Sequence, residues 1–436
     1  MKERRGFGVI VIVVVLLVAV ITYFLFNCIF SPYWDSIYPP MGYLSLVSYN
    51  EIEDDMAVLA AEDAKSDIDY LIATLKRVHP LCKDGVPSEI SELAESEKAQ
   101  FSDNSSVYDV WRSYAKIIHK LDDSQTVVFP AMKLSYLMEH RKLIDDGCTL
   151  VSVNNIPISD ILDNNREILS YETDEFAMIT LMGLLDTKEG LKLLGLYDNG
   201  AVYLYSDKSG NEIVRHYTPD DFYYYIDDET ETNDVPYRST IYNEKAAGLT
   251  FDSLEYGDEF KKFLYDFFID IGDRGIDNLI IDLRECQSGT SQVLDEILMY
   301  TNFETFKTPG GFWRLGSYTM NWESEDTKII KMDVDIMFDG DIYVLTSGKT
   351  YGSATLMTEI IQDNGFGKVI GKPCGNRPDG YGEVVLFQAP KSGLLFQVSS
   401  KKFYRIDETK SGSLLVPDVD VESEKALDKA LEIINN

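Results

Sequence analysis

Residues 278–289 read Asn278-Leu-Ile-Ile-Asp282-Leu-Arg284-Glu-Cys286-Gln-Ser288-Gly289. Leu279, Ile280, Ile281 and Leu283 form an almost continuous apolar run. Such a run suits a strand buried on both faces, because alternation with polar residues appears only where one face meets water. Upstream, residues 247–251 are strand-like and lead into a helix carrying Phe260, Leu264, Phe267 and Phe268. Downstream come a helix around 292–300, a strand at 342–346, a helix at 353–363 and a strand at 369–371. Strands alternating with helices imply a partly parallel sheet covered by helices, which places this half of the chain in the α/β class.

Ser353 follows Gly352 where strand, turn and helix meet, and Ala354, Met357, Ile360 and Ile361 continue at core-facing helical spacing. A hydroxyl there sits on rigid elements. The unpaired N–H groups of the first helical turn face any oxyanion that forms nearby. Helix capping is the plainer role for a serine in this position.

Three ordered motifs make a resemblance specific. The 278–289 run resembles the "LIIDLRxNxGG" strand and turn of the tail-specific, or C-terminal-processing, serine peptidases. Residues 343–373, YVLTSGKTYGSATLMTEIIQDNGFGKVIGKP, resemble the nucleophile segment of that family. The tail, with Phe403-Tyr404-Arg405 and Val416-Pro417-Asp418 before a short amphipathic helix, is similar to the family's C-terminus. Together these cover roughly residues 245–436, with weaker traces at His79-Pro80 and 121–126. The resemblance implies a mixed sheet with helices as in ClpP/crotonase-like cores, and Ser353 as nucleophile. It further implies an oxyanion hole from the N–H of Ala354 and one from the Ser288-Gly289 turn, a peptide or protein substrate, and no cofactor.

The chain departs from the pattern at the base. Members without an internal lysine dyad carry His in a short "LxDGHT" motif; here Leu121-Asp122-Asp123-Ser124-Gln125-Thr126 stands in its place, so that His is Gln125. An amide has no usable proton-accepting group, so Gln125 can orient a water or substrate but cannot act as general base. In the other branch a Lys follows the "GEPT" strand. Here Arg377 falls near that position and cannot deprotonate. Lys372, which replaces the Glu of the tetrapeptide, is a possible alternative base if burial lowers its pKa. Cys286 and Ser288 replace the family's Asn and first Gly, and the Cβ of Ser288 disfavours positive φ. His79 is a candidate for a relocated base; His119, His140 and His216 read as surface or structural residues.

The N-terminus carries a second signal. No charged residue occurs from Gly6 to Trp34, and residues 9–26 are almost wholly apolar. About 20 such residues span a bilayer core. Lys2, Arg4 and Arg5 precede the run and a series of acids follows it. The expectation is therefore a single-pass anchor with a cytoplasmic tip and an extracytoplasmic body at the cell membrane. A cleaved signal peptide would have a shorter apolar region and an A-x-A-like site.

Composition narrows the rest. The formal net charge is −33 with only 4 His and 5 widely separated Cys. So acidic a body repels nucleic acid, and the spacing suggests neither a metal centre nor a disulfide framework. The expected organisation is a cytoplasmic tip (1–6), a transmembrane helix (7–30), a stalk (31–60), a helical region (61–130), a β-rich subdomain (131–244) and the peptidase-like core (245–436). Within the helical region the apolar spacing predicts helices at 67–78, stopped by Pro80, and at 107–121. Residues 147–158 resemble, over one short stretch, the ligand-binding end of a PDZ-like module; a plain β-subdomain is the alternative. Two functions follow: peptide-bond hydrolysis through Ser353, or a non-catalytic pseudo-peptidase that binds peptides or partner proteins.

Overall fold

The computed structural model describes residues 2–26, 31–37, 48–51, 58–224, 235–287, 289–334 and 337–436. Much of the expected stalk, the acidic stretch 227–234 and Ser288 lie outside the described residues.

A six-stranded sheet organises the C-terminal half. Its strands run in the order Tyr237–Ile241, Ala246–Phe251, Asn278–Asp282, Asp341–Thr346, Gly367–Gly371 and Val419–Asp420. The first pair is antiparallel and the remaining pairs are parallel. Both faces are covered, as the unbroken apolar runs require. Leu279, Ile281, Ile342, Val344 and Val369 pack with the helices Asp258–Arg274, Gln292–Leu298 and Ser353–Asp363. The intervening Ile280, Tyr343, Leu345 and Ile370 pack on the other side with Ala426, Ala430 and Ile434 of the helix Ala426–Asn435. The α/β expectation for this region holds.

A second sheet stands beside the first. Tyr318–Trp322, Gly311–Leu315, Leu395–Phe403 and Tyr381–Gln388 are neighbours in that order, and Val127–Phe129 pairs with residues 395–397. The N-terminal helices pack against it: Ile68, Leu71 and Leu75 of Ala61–Val78 and Tyr114 of Val107–His119 share a core with Val385, Phe387, Phe396 and Val398. The first of these helices begins before the expected Asp67, with Glu62 and Asp63 in its first turn, and ends at Val78 before His79-Pro80. Ser106 and Asp109 form a capping box at the start of the second.

The segment expected to be β-rich is mixed. Strands Thr149–Val153, Ile156–Pro157, Ala201–Ser206 and Glu212–Tyr217 form one sheet, but helices Met138–Asp145, Ile158–Asn165, Asp174–Leu185 and Lys188–Leu193 are interleaved. Its apolar residues join the core of the N-terminal helices.

At the N-terminus a helix runs over Lys2–Leu25, and the side chains from Ile12 to Phe24 are exposed. Among the described residues no helix is long and apolar enough to cross a membrane.

Candidate active site

The strand Asp341–Thr346 ends in a loop stitched to the end of its neighbour. Thr350 Oγ1 donates to Leu283 O at 2.8 Å, and the Tyr351 N–H donates to Cys286 O at 3.0 Å. Gly352 then adopts φ +62° and ψ −119°, a backbone that side-chain-bearing residues avoid. Its N–H donates to Asn376 Oδ1 at 2.9 Å, and Thr355 Oγ1 holds the same oxygen at 2.7 Å. This turn presents Ser353, half-buried, as the first residue of the helix Ser353–Asp363.

Ser353 Oγ lies 2.7 Å from Gly289 O and donates to it. The two segments singled out in the sequence therefore meet. Gly289 has φ +123°, and a Cβ there would stand 2.3 Å from Leu254 O, so both the backbone and the close approach demand glycine. The oxyanion expectation fares differently. Gly289 turns its carbonyl toward Ser353, and the Ala354 N–H donates to Tyr351 O at 3.2 Å. An oxyanion hole needs N–H groups aimed at the reacting oxygen, so this pair requires rearrangement before it can serve as one.

The 122–126 loop reaches the same place. Tyr351 donates its hydroxyl to Ser124 Oγ at 2.8 Å, and Ser124 Oγ donates to Glu172 Oε1 at 2.6 Å. Glu172 Oε2 accepts the Arg377 N–H at 2.8 Å, and Arg377 Nη2 binds Asp122 Oδ2 at 2.6 Å. Burial pushes the Glu172 carboxyl above its ordinary pKa. Asp123 is also buried; desolvation would raise it, but hydrogen bonds from His79 and Thr126 hold it below the usual carboxylate range. Gln125 donates to Tyr381 O at 2.9 Å rather than to Ser353, while its own carbonyl accepts from Gln397 Nε2 at 2.8 Å.

His79 is not a relocated base. It is fully buried, its Nδ1 accepts the Leu81 N–H at 3.1 Å, and its Nε2 faces Asp123 Oδ2 at 3.1 Å. Both ring nitrogens are thus occupied. Lys372 is also corrected: it pairs with Asp420 at 3.0 Å and Glu422 at 3.1 Å, and those bonds raise its pKa, the wrong direction for a base. His119 Nδ1 bonds Leu169 O, His140 is buried with its pKa lowered by desolvation to about 4, and His216 is exposed.

Two cavities open on Ser353. One, of about 650 Å³, has apolar walls from Trp111, Ile168, Leu169, Phe176 and Leu184. The other, of about 340 Å³, is edged by Asn376, Arg377, Tyr381, Lys401 and Phe403. Gln125, Gly289, Gly352, Ser353 and Glu383 line both. Glu383 was not evident from sequence, although the Gly382-Glu383 pair inside an alternating strand marks an irregularity. It has φ +53°, and the ladder between Tyr381–Gln388 and Leu395–Phe403 skips it opposite Ser400. Its carboxylate pairs with Lys401 Nζ at 3.0 Å.

Residues 247–421 match peptidase family S41. No curated protein sequence matches the chain. Among solved structures, mature CPAF is similar with a TM-score of 0.62 at 12% identity, covering 86% of this chain and 96% of that one. The structure of mature CPAF complexed with lactacystin gives a TM-score of 0.59, also at 12% identity, covering 86% and 97%. At such identity the likeness shows the fold. Residues 247–421 are therefore similar to peptidase family S41, and the chain shares its fold with mature CPAF.

Proposed function

We propose that the protein hydrolyses peptide bonds through Ser353, on a body held outside the cytoplasm by its N-terminal helix. The observation that carries the catalytic part is the placement of Ser353. Its hydroxyl opens a helix behind a left-handed glycine, within hydrogen-bond reach of the Gly289 backbone, at the junction of two cavities. A peptide carbonyl seated there meets a nucleophile fixed on rigid elements, and the apolar cavity offers space for a neighbouring side chain. The charge asymmetry around the apolar N-terminal run supports the anchor and its orientation.

A specific observation supports the second reading, a pseudo-peptidase that binds peptides or partner proteins. Gln125 stands where relatives carry His, and it is engaged by Tyr381 O rather than by Ser353. One experiment separates the two. The purified protein is treated with a fluorophosphonate probe, with Ser353→Ala as control. Labelling confined to Ser353, together with peptide hydrolysis, supports the enzyme; an unlabelled wild type that still binds peptides supports the binding protein. The anchor is tested apart from this: protease added to intact cells should digest the body and spare the N-terminal tip.

A further inference from the structure

We infer that Glu383 is the general base for Ser353, occupying the functional place that Gln125 leaves empty. The inference rests on the reading of Ser353 as nucleophile and goes beyond it by naming the proton acceptor. Among the described residues lining the two cavities beside Ser353, Glu383 is the one side chain with a carboxylate or imidazole. The other ionisable groups there are unsuited. Arg377 keeps its proton. Burial drives Tyr351 well above its ordinary value and Tyr381 up to about 12. Lys401 is held as the ion-pair partner of Glu383.

Geometry adds a second line of support. A left-handed φ is strained for a glutamate and persists where the surroundings impose it, a pattern that clusters at functional sites. Ser400 Oγ donates to the Glu383 carbonyl at 2.7 Å and fixes this conformation, which places Glu383 on the shared wall of both cavities. Lys401 Nζ pairs with the carboxylate at 3.0 Å, and at 39% side-chain exposure Glu383 is reached by water and by substrate.

Ser353 Oγ turns from Gly289 O, attacks the peptide carbonyl carbon, and passes its proton to Glu383, directly or through one water. The carbonyl π pair moves onto oxygen. As the C–N bond breaks, the Glu383 carboxylic acid returns the proton to the leaving amine. Water then attacks the acyl-serine, giving a proton to Glu383 and thence to Ser353 Oγ, with release of the peptide acid.

The test follows the rate of fluorophosphonate acylation of Ser353 against pH for wild type, Glu383→Gln and Glu383→Asp. Wild type should show a falling limb at acid pH, since only the ionised carboxylate accepts a proton. Glu383→Gln should lose about 10²–10⁴-fold and flatten that limb. Glu383→Asp should recover part of the rate. Circular dichroism of each variant distinguishes lost chemistry from lost fold. Labelling of folded Glu383→Gln at the wild-type rate overturns the assignment and leaves the nucleophile standing. Absence of labelling in wild type overturns both.

Discussion

The Tyr351 hydroxyl donates to Ser124 Oγ at 2.8 Å, joining two loops 227 residues apart in sequence. One loop carries Ser353 and the other carries Gln125, and Phe176 stacks on the Tyr351 ring at 4.5 Å. The two halves of the candidate site are therefore tied by a partly buried bond rather than merely adjacent. Substitution Tyr351→Phe removes the donor and leaves Ser124 bonded to Glu172; it should cost about 1 kcal/mol. Ser124→Ala leaves the Tyr351 hydroxyl buried without its acceptor and should cost about 1–3 kcal/mol. Urea unfolding of the two variants checks the order, and an equal or reversed ranking would count against the tie.

Gly352 and Gly289 should respond differently to alanine. A Cβ on Gly352 meets nothing closer than Gln287 O at 3.8 Å, so the cost is backbone strain alone, about 1–3 kcal/mol. Gly352→Ala should therefore fold but misdirect Ser353, giving near-native circular dichroism with little probe labelling. Gly289→Ala adds a collision with Leu254 O at 2.3 Å and should unfold at distinctly lower denaturant.

Glu359, on the Ser353 helix, supplies a pH prediction. Burial raises its carboxyl from the ordinary 4.5 to about 7, although the Ile406 N–H donates to it at 2.8 Å. Its folded-state pKa exceeds the unfolded one, so the folded protein binds the proton more tightly. This group therefore favours folding below pH ~4.5 and loses that contribution as pH rises toward ~7, by about 3 kcal/mol in all. Glu359→Gln should leave stability unchanged near pH 4 and raise it at pH 8. Denaturation midpoints at the two pH values decide; a variant no more stable than wild type at pH 8 would show that Glu359 is not ionised against desolvation.

These buried groups show where sequence reading stops. The strands Asn278–Asp282 and Asp341–Thr346 are legible because burial on both faces leaves unbroken apolar runs. The helix starting at Ser353 is legible because its apolar stripe follows a glycine. The helix Asp174–Leu185 is not legible: it is apolar on every side, yet Ala177, Leu181 and Leu185 are its buried residues, so no stripe stands out. Glu172 escaped notice because nothing local marks it, and the irregularity at Gly382-Glu383 signals a break in the strand without signalling a role; both roles arise from tertiary contacts, to Ser124 and to Lys401. Lys372 misled for the converse reason, since its partners Asp420 and Glu422 lie far along the chain. Lys372→Met should accordingly leave Ser353 labelling at the wild-type level, whereas a loss in a folded variant would restore it as a base.

The position of Gln125 yields the sharpest prediction. It borders both cavities with Ser353, and its side chain is held by Tyr381 O at 2.9 Å. An imidazole of similar reach can donate one ring N–H to that carbonyl and turn its other nitrogen toward the Ser353 hydroxyl, the pairing that makes a serine nucleophilic. Gln125→His should therefore raise peptide hydrolysis, and a positioned base contributes typically ~10²–10⁴-fold. The gain should fall toward the low end, because Gly289 offers Ser353 a carbonyl and the Ala354 N–H is committed to Tyr351 O. Adding Ser353→Ala should abolish it. Adding Glu383→Gln instead should spare most of it, since the imidazole would then supply the base. If Gln125→His is folded and no faster than wild type, the 122–126 loop does not deliver its fourth residue to Ser353, and the correspondence with the family's histidine fails.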